Sequence, residues 1–397
     1  MQHRYFRSQT CYFLLVDKTN ILDLSMVFKI AAAFVSLSTL SFAATTIKQP
    51  TICANGQVVS HEACCPFTDV RDDLQTNLFG GVCDQGVQDA LRLTFHDGIA
   101  FSLSGQFAGG GADGSILKFA DIETAFEENG GTEDGTNDLM PFYNRHNVSA
   151  GDMIQFAAAL GVSNCPGAPR LQFFAGRPEP TAPAQDGAVP RPFDSVDTIL
   201  ERFADAGFSS AEVVHLLASH TIADSNLIVP GHLGVPFDST PFDFDGQFFL
   251  ETLISSDDVA FGREFPDVAK GETTSPIAKE GGMRLMSDFL LARDQRTACE
   301  WQSMIDNQYY MANSFKKAMF RLSIVGQDID QLVDCSDLIP IPPPPRKAHT
   351  TFPPTLGMSD ILPACRFPFP SLSTDPGEPT EIPACANGSF SEADCPD

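Results

Sequence analysis

Apolar residues recur at three- and four-residue spacing in six stretches, Asp84–Phe95, Gly151–Leu160, Ser195–Ala206, Ser209–Ala218, Gly282–Asp294 and Tyr309–Leu322. That period lays one apolar stripe along each stretch and predicts amphipathic helices. Ser149, Asp194, Ser209 and Ser287 are the predicted N-caps, because their side-chain oxygens can accept a free backbone N–H of a first turn. Two-residue alternation is scarce, so the predicted fold class is mainly α. The helical pattern starts at residue 53, ends near 338 and shows no internal repeat. Beyond it the run Pro-Ile-Pro-Pro-Pro-Pro at 340–345 cannot continue a helix, which predicts an extended, Pro-rich tail over 339–397.

A different apolar pattern opens the chain. From Met26 the residues MVFKIAAAFVSLSTLSFAATT place Lys29 before an apolar run and end on the small residues Ser41, Ala43 and Ala44. This is the pattern of a secretory signal, too short to span a bilayer. The expected division is a leader over 1–44 with its signal core at 26–44, a helical domain over 45–338, and the tail. Residues 1–25 hold charges and no apolar run, which leaves either an upstream extension of the start or an unusually long leader.

The 397 residues carry 51 Asp and Glu against 25 Lys and Arg, a net charge of -26. Without residues 1–44 the balance is 49 acids to 21 bases, or -28. Such a charge repels phosphate backbones and anionic lipid, so neither nucleic acid nor a membrane is an expected partner. The 43% hydrophobic content and 33 Phe are those of a globular chain. Of the 11 Cys, Cys11 falls in the leader, and the remaining ten form an even set suited to disulfides in an oxidising compartment. Cys64 and Cys65 are adjacent and no Cys-x-x-Cys pair occurs, which argues against zinc. Asn147-Val-Ser and Asn387-Gly-Ser fit the acceptor pattern for N-glycans of a secreted glycoprotein.

Two stretches carry candidate chemistry. In Arg92-Leu-Thr-Phe95-His96-Asp97 the arginine and histidine are four apart, so a helix would aim both into one space beside Phe95. In His215-Leu-Leu-Ala-Ser-His220-Thr221 the histidines are five apart, about 140° around a helix, so they cannot ligate one metal; one faces in and the other out.

Together with GGGADGS at 109–115, HNVSAGD at 146–152, PFDSTPFDFD at 236–245, RLMSDFLLARD at 284–294 and CEWQSM at 299–304, these stretches resemble the secreted fungal class II haem peroxidases, the lignin, manganese, versatile and generic peroxidases. The resemblance spans nearly the whole chain after the leader. It implies the plant-type haem peroxidase fold, with one haem b between distal and proximal helical halves. It makes His220 the iron ligand, Asp288 the acceptor for its other ring nitrogen, and Phe237 a wall of the proximal pocket. On the distal side it makes His96 the acid–base group for hydrogen peroxide and Arg92 the cation for O–O cleavage, with Phe95 beside them. Asn129, with Glu123 behind it, would set the tautomer of His96.

The resemblance also implies two Ca2+ ions. The distal one would take Asp97, the Gly111 carbonyl, Asp113 and Ser115; the proximal one Thr221, Asp238, Thr240, the Asp243 carbonyl and Asp245. Its disulfide pattern is Cys53–Cys65, Cys64–Cys335, Cys83–Cys165 and Cys299–Cys365, leaving Cys385 and Cys395 to close a loop in the tail.

Departures from the family pattern set the expected subtype. Where relatives that oxidise manganese place three carboxylates, this chain has Gln85, Asp89 and Asn226. Asp224, two residues from Asn226 and so about 200° away on a helix, is not expected to substitute. Where relatives that attack bulky aromatics carry a surface Trp, this chain has His215; its single Trp301 reads as a core residue. Tyr143, Tyr309 and Tyr310 could relay electrons, although packing is the plainer reading of each. The insertion GQFAGG at 105–110 also resembles the generic members. The expectation is a generic, low-potential, monomeric peroxidase that takes electrons from small phenols or dyes at the exposed haem edge. An atypical manganese-oxidising or ligninolytic peroxidase is the alternative.

Overall fold

The computed structural model describes residues 50–256, 259–260, 263–264 and 269–390, so the expected leader over 1–44 and Cys395 lie outside the described residues. Its longer helices are α1 (Pro66–Leu74), α2 (Gln85–Gly98), α3 (Thr132–Arg145), α4 (Ala150–Val162), α5 (Val196–Asp205), α6 (Ser210–Leu217), α7 (Gln247–Leu253), α8 (Met286–Leu291), α9 (Ala298–Met304) and α10 (Gln308–Ser323). Among the described residues, strands are two-residue pairs, such as Asp224–Ser225 with Val235–Pro236 and Glu272–Thr273 with Arg284–Leu285.

Helix α4 is buried at every position, which marks it as the centre of the body. Helices α2 and α3 pack against it, and α10 lies against both α2 and α6. Ser149 caps α4 by accepting Asp152 N at 3.2 Å. Ser209 closes a reciprocal capping box with Glu212 at the start of α6. Two predicted caps move. Ser195, not Asp194, caps α5, because the Asp194 carboxylate is taken by Arg191 at 3.0 Å. Ser287 lies inside the first turn of α8 after Leu285, and its N–H donates to Pro192 O at 3.0 Å. The stretch 282–294 is helical only over 286–291, since Arg284–Leu285 are drawn into the strand pair.

Helix α3 has no apolar periodicity to announce it. Its buried face is Thr132, Gly135, Thr136, Leu139 and Phe142, mostly small or polar residues at helical spacing, with Pro141 inside. The core holds Phe67, Phe156 and Phe173 with ring centroids 4.8–5.1 Å apart, and Trp301, fully buried against Phe248 and Phe249 at 5.3 and 5.0 Å. Disulfides join Cys53–Cys65, Cys64–Cys335, Cys83–Cys165 and Cys299–Cys365. The bridge spanning 271 residues is worth about 5 kcal/mol in the chain-entropy account. Cys385 is also disulfide-bonded.

The tail is extended but docked. Ser255 N donates to Asp360 O at 2.6 Å, Leu362 N to Leu253 O at 2.9 Å, and Gln302 Nε2 to Pro368 O at 3.0 Å. Phe352, 1% exposed, contributes about 2 kcal/mol of apolar burial. Near the end of the tail, Ala386 N donates to the carboxylate of Asp84, the N-cap of α2.

Candidate active site

A cavity of about 320 Å3 lies between α2 on one side and α6 with the turn 218–222 on the other. Phe95, Phe203, Leu216, Phe237 and Met319 wall it, with Arg92 and His96 on one face and His220 on the opposite one.

On the α2 face the helical period turns Arg92 and His96 together, and Arg92 Nε lies 3.3 Å from His96 Nε2. His96 Nδ1 lies 2.9 Å from Asn129 Oδ1, and Asn129 Nδ2 donates to the Glu123 backbone carbonyl at 2.9 Å. The second bond fixes the amide orientation, so Asn129 offers His96 an acceptor and Nδ1 carries the hydrogen. Nε2 then holds a lone pair facing the cavity. Burial, and secondarily the Arg92 charge, push the His96 pKa down to about 3, so the ring is neutral and basic at Nε2 over the ordinary pH range. Phe95 stacks on Phe203 at 5.6 Å and sets its edge against the His96 ring.

Glu123 stands behind Asn129 through its backbone, not its side chain. Its Oε1 instead accepts Ala184 N at 2.8 Å. The sequence reading also missed the Gly130 carbonyl, which accepts Arg92 Nη2 at 2.7 Å. The pair Gly130-Gly131 was the available signal. Gly131 has φ +78°, and a Cβ there would sit 2.9 Å from Arg92 Nη1.

On the opposite face, Nδ1 of His220 lies 3.0 Å from the carboxylate of Asp288, which is 1% exposed at the start of α8. Nε2 is left free for a metal. Phe237 and Phe248 hold the ring at 5.1 and 5.5 Å; the sequence reading named only Phe237. His215 points elsewhere, with Nε2 2.8 Å from Glu300 Oε1.

At the cavity edge, Gln85 Nε2 donates to Asp89 at 3.3 Å, and the Asn226 side-chain oxygen is occupied by Gly234 N at 2.7 Å. The helical argument about Asp224 is corrected here. Asp224 belongs to a strand, lines the cavity together with Asp89, and after burial is the largest cause raising the Asp89 pKa to about 7. Two carboxylates therefore line the cavity where one was expected.

Behind each histidine is an oxygen-rich cluster. Asp97, 0% exposed, accepts Gly114 N at 2.9 Å, and its carboxyl is pushed well above the usual range by burial and then by Asp113. Asp113 accepts Ser115 N at 3.0 Å, with Gly111 at φ +81° in the same loop. On the other side Thr221 Oγ1 donates to Asp238 at 2.7 Å and approaches the Asp243 carbonyl at 3.3 Å, while Thr240 Oγ1 donates to Asp245 at 3.2 Å. Burial and then Asp245 raise Asp238 well above the carboxylate range. Among the described residues no three His, Cys, Asp or Glu side chains converge. Each cluster instead combines two carboxylates with hydroxyl and carbonyl oxygens.

The cavity fits haem: one imidazole nitrogen is free for iron, the walls are aromatic and aliphatic, and a base and a guanidinium face it. When bound, haem supplies the redox chemistry by which peroxide is reduced. Fold and site together define a haem peroxidase, a hydrogen peroxide-dependent oxidoreductase. The chain belongs to the peroxidase family, whose pattern matches residues 70–307, and the fungal peroxidase extension region matches 310–386. It is 52% identical to a versatile peroxidase of Pleurotus eryngii over 341 residues, 83% of this chain and 90% of that one. It is 48% identical to a manganese peroxidase of Phanerodontia chrysosporium over 384 residues, 94% and 98% of the two chains. With ligninase C of Trametes versicolor it shares 47% over 370 residues, 90% and 97%.

Proposed function

We propose that the protein is a secreted, monomeric peroxidase of the generic, low-potential type, which oxidises small phenols or dyes by one-electron steps at the edge of its haem. The observation that carries this reading is the cavity edge. Two of the three groups that would hold a divalent cation are the amides Gln85 and Asn226, and the Asn226 oxygen is already engaged by Gly234 N. Replacing two carboxylates by amides costs a divalent site several kcal/mol, on the order of 2 per lost charge contact. His215, tied to Glu300, offers no oxidisable ring at the position where relatives carry a surface Trp.

In this reading His96 Nε2 takes a proton from peroxide and returns it to the departing oxygen, the two transfers a neutral, aligned base can make. Arg92 stabilises the charge developing on the peroxide oxygens. Asn129 and the Glu123 carbonyl hold the tautomer, and Phe95 shapes the wall. Asp288 draws the Nδ1 proton of His220 and makes its Nε2 a stronger donor, with Phe237 packing the ring. Two Ca2+ ions would compensate the buried carboxylates, one at Asp97, Gly111, Asp113 and Ser115, the other at Thr221, Asp238, Thr240, Asp243 and Asp245. Uncompensated carboxylates buried this deeply are otherwise costly. The signal-like segment 26–44, the disulfides and the two glycan acceptor sites support secretion. We assign residues 1–44 to the leader, 45–338 to the haem domain and 339–397 to the tail.

One observation favours the atypical manganese-oxidising alternative, the presence of Asp224 with Asp89 in the cavity lining. Steady-state kinetics with manganese(II), a phenol and a non-phenolic aromatic separates the two. The generic reading expects turnover of the phenol alone. Saturable manganese oxidation below about 1 mM, abolished by Asp224→Ala, establishes the alternative instead.

A further inference from the structure

We infer that the mouth of the cavity holds a seat for a carboxylate, formed by Arg191 and Lys270 beside Phe193 and filled in this structure by the side chain of Glu127. The reductants it selects are phenols that carry a carboxylate, in preference to neutral phenols of the same size. This selectivity rests on the reading of the protein as an oxidant of small phenols and narrows that class.

The loop that carries the seat is held from both sides. Arg191 lies between Pro190 and Pro192, whose fixed φ angles stiffen the chain, and all three line the cavity together with Phe193. Pro192 O accepts Ser287 N at 3.0 Å, which ties the loop to the first turn of α8. Gly271, at φ +92°, packs so closely on Pro192 that a Cβ there would lie 3.1 Å from the proline Cγ, and this contact sets Lys270 beside the loop. Lys270 Nζ lies 3.6 Å from the centroid of Phe193, and the guanidinium carbon of Arg191 lies 4.7 Å from the same centroid. Two cations therefore converge on one aromatic ring at the opening.

The carboxylates around them are of two kinds. Arg191 Nε and Nη2 donate to Asp194 Oδ1 at 3.2 and 3.0 Å, and Arg191 N donates to Asp194 Oδ2 at 2.8 Å. The Asp194 side chain is 11% exposed, so this pair is fixed and serves to hold the guanidinium. Glu127 is 67% exposed and lies 3.5 Å from Arg191 Nη1 and 3.7 Å from Lys270 Nζ, well beyond the roughly 2.8 Å of a charge-assisted hydrogen bond. An exposed pair of that length contributes little, and the Glu127 side chain can turn to water without leaving a buried charge. Glu128, the next residue, is already engaged by Gly187 N.

A phenol with a carboxylate satisfies both parts of the mouth at once. Its carboxylate takes the place of Glu127 between Arg191 and Lys270, its ring lies along Phe193, and its hydroxyl end points into the cavity. A neutral phenol has no group with which to displace Glu127. In a chain of net charge -26 the long-range field opposes any anion, so the preference comes from contact at the mouth and not from steering.

The test uses the holoenzyme at about pH 6, where a carboxylate is ionised, with 4-hydroxycinnamic acid and its methyl ester. Each phenol is compared with itself across variants, so their intrinsic ease of oxidation cancels. Lys270→Gln and Arg191→Gln should raise the KM of the acid about fivefold with kcat retained, while the KM of the ester changes by less than about twofold. Glu127→Gln removes the internal competitor and should lower the KM of the acid about threefold. Titration of the peroxide-free holoenzyme with each phenol, read from the Soret band, should give dissociation constants that move in the same directions. Acid and ester responding alike to all three substitutions, or an unchanged KM of the acid in Glu127→Gln, overturns the inference. The opposite signs expected for Glu127→Gln and Lys270→Gln separate the seat from a general disturbance of the fold. Absence of turnover of both phenols by wild type refutes the phenol-oxidising reading instead, and the Soret titration then still decides the seat.

Discussion

The two walls of the cavity use the same side chain with different partners. His96 is held by an amide, Asn129, and His220 by a carboxylate, Asp288. A neutral acceptor orients a ring without charging it; burial and then the Arg92 charge push the His96 pKa down to about 3, against the pull of the amide, and leave Nε2 unprotonated, where it accepts Arg92 Nε at 3.3 Å. A buried carboxylate pulls on the Nδ1 proton and makes the other nitrogen electron-rich. One histidine is therefore suited to move protons and the other to hold a metal. The partner, more than the imidazole, sets the difference.

The largest break in this contrast is to remove the distal base. His96→Ala should slow the reaction with peroxide by about 10^3-fold while haem stays bound, because His220 and Asp288 are untouched. Stopped-flow observation of the Soret band measures it, and wild-type rates would exclude His96 as the base. A smaller break makes the two walls alike. Asp288→Asn gives His220 an amide partner, and the expected outcome is an upward shift of the haem reduction potential with a loss of about 10- to 100-fold in peroxide turnover. Potentiometry is the sharper readout, since a merely structural role would leave the potential in place.

The reverse exchange tests the distal side by pH. His96 titrates at about 3 in the fold against 6.5 for the free side chain, so the basic form is present above about 3 and is lost as pH falls through it. Between those values the unfolded chain takes up the proton more readily, so stability also declines as pH falls across that window. Asn129→Asp supplies a carboxylate, raises the His96 pKa and should move the acid limb of the peroxide reaction upward by more than about one pH unit. An unmoved limb would show that the charge of the Nδ1 partner does not control the protonation of His96, which burial and Arg92 then set alone.

Parts of this arrangement were legible in the sequence, for identifiable reasons. Arg92 and His96 are four residues apart on a strongly periodic stretch, and helical geometry alone brings them to 3.3 Å. Asp288 is 68 residues from His220, a separation no local rule bridges, so only the family resemblance named it. The support that Asn129 takes from Glu123 comes from a backbone carbonyl, which no side-chain pattern encodes. Helix α3 was missed because its buried face is mostly threonine and glycine. The helical premise used for Asp224 fails because the chain pairs there as a strand with Val235–Pro236. Local period is readable from one sequence, whereas contacts made across the fold by main chain or by distant carboxylates are not.

The smallest expected effect concerns how the two histidines are mounted. His96 sits within α2, fourteen residues long and packed on α3 and α4, whereas His220 hangs from a tight turn directly after α6, which is only eight residues long. A helix that short is marginal without its caps. Ser209 accepts Glu212 N, and the Glu212 carboxylate returns the bond to Ser209 N at 2.9 Å. Ser209→Ala removes one half of that box and should cost about 1 kcal/mol of stability. If the proximal wall is the more weakly mounted of the two, the variant should also release haem sooner than wild type on thermal ramping, while the distal cap variant Ser149→Ala, on the fully buried α4, lowers the melting temperature without that early release. Haem loss that tracks global unfolding equally in both variants would mean that the walls are equally firm and that the contrast between them is one of hydrogen-bond chemistry alone.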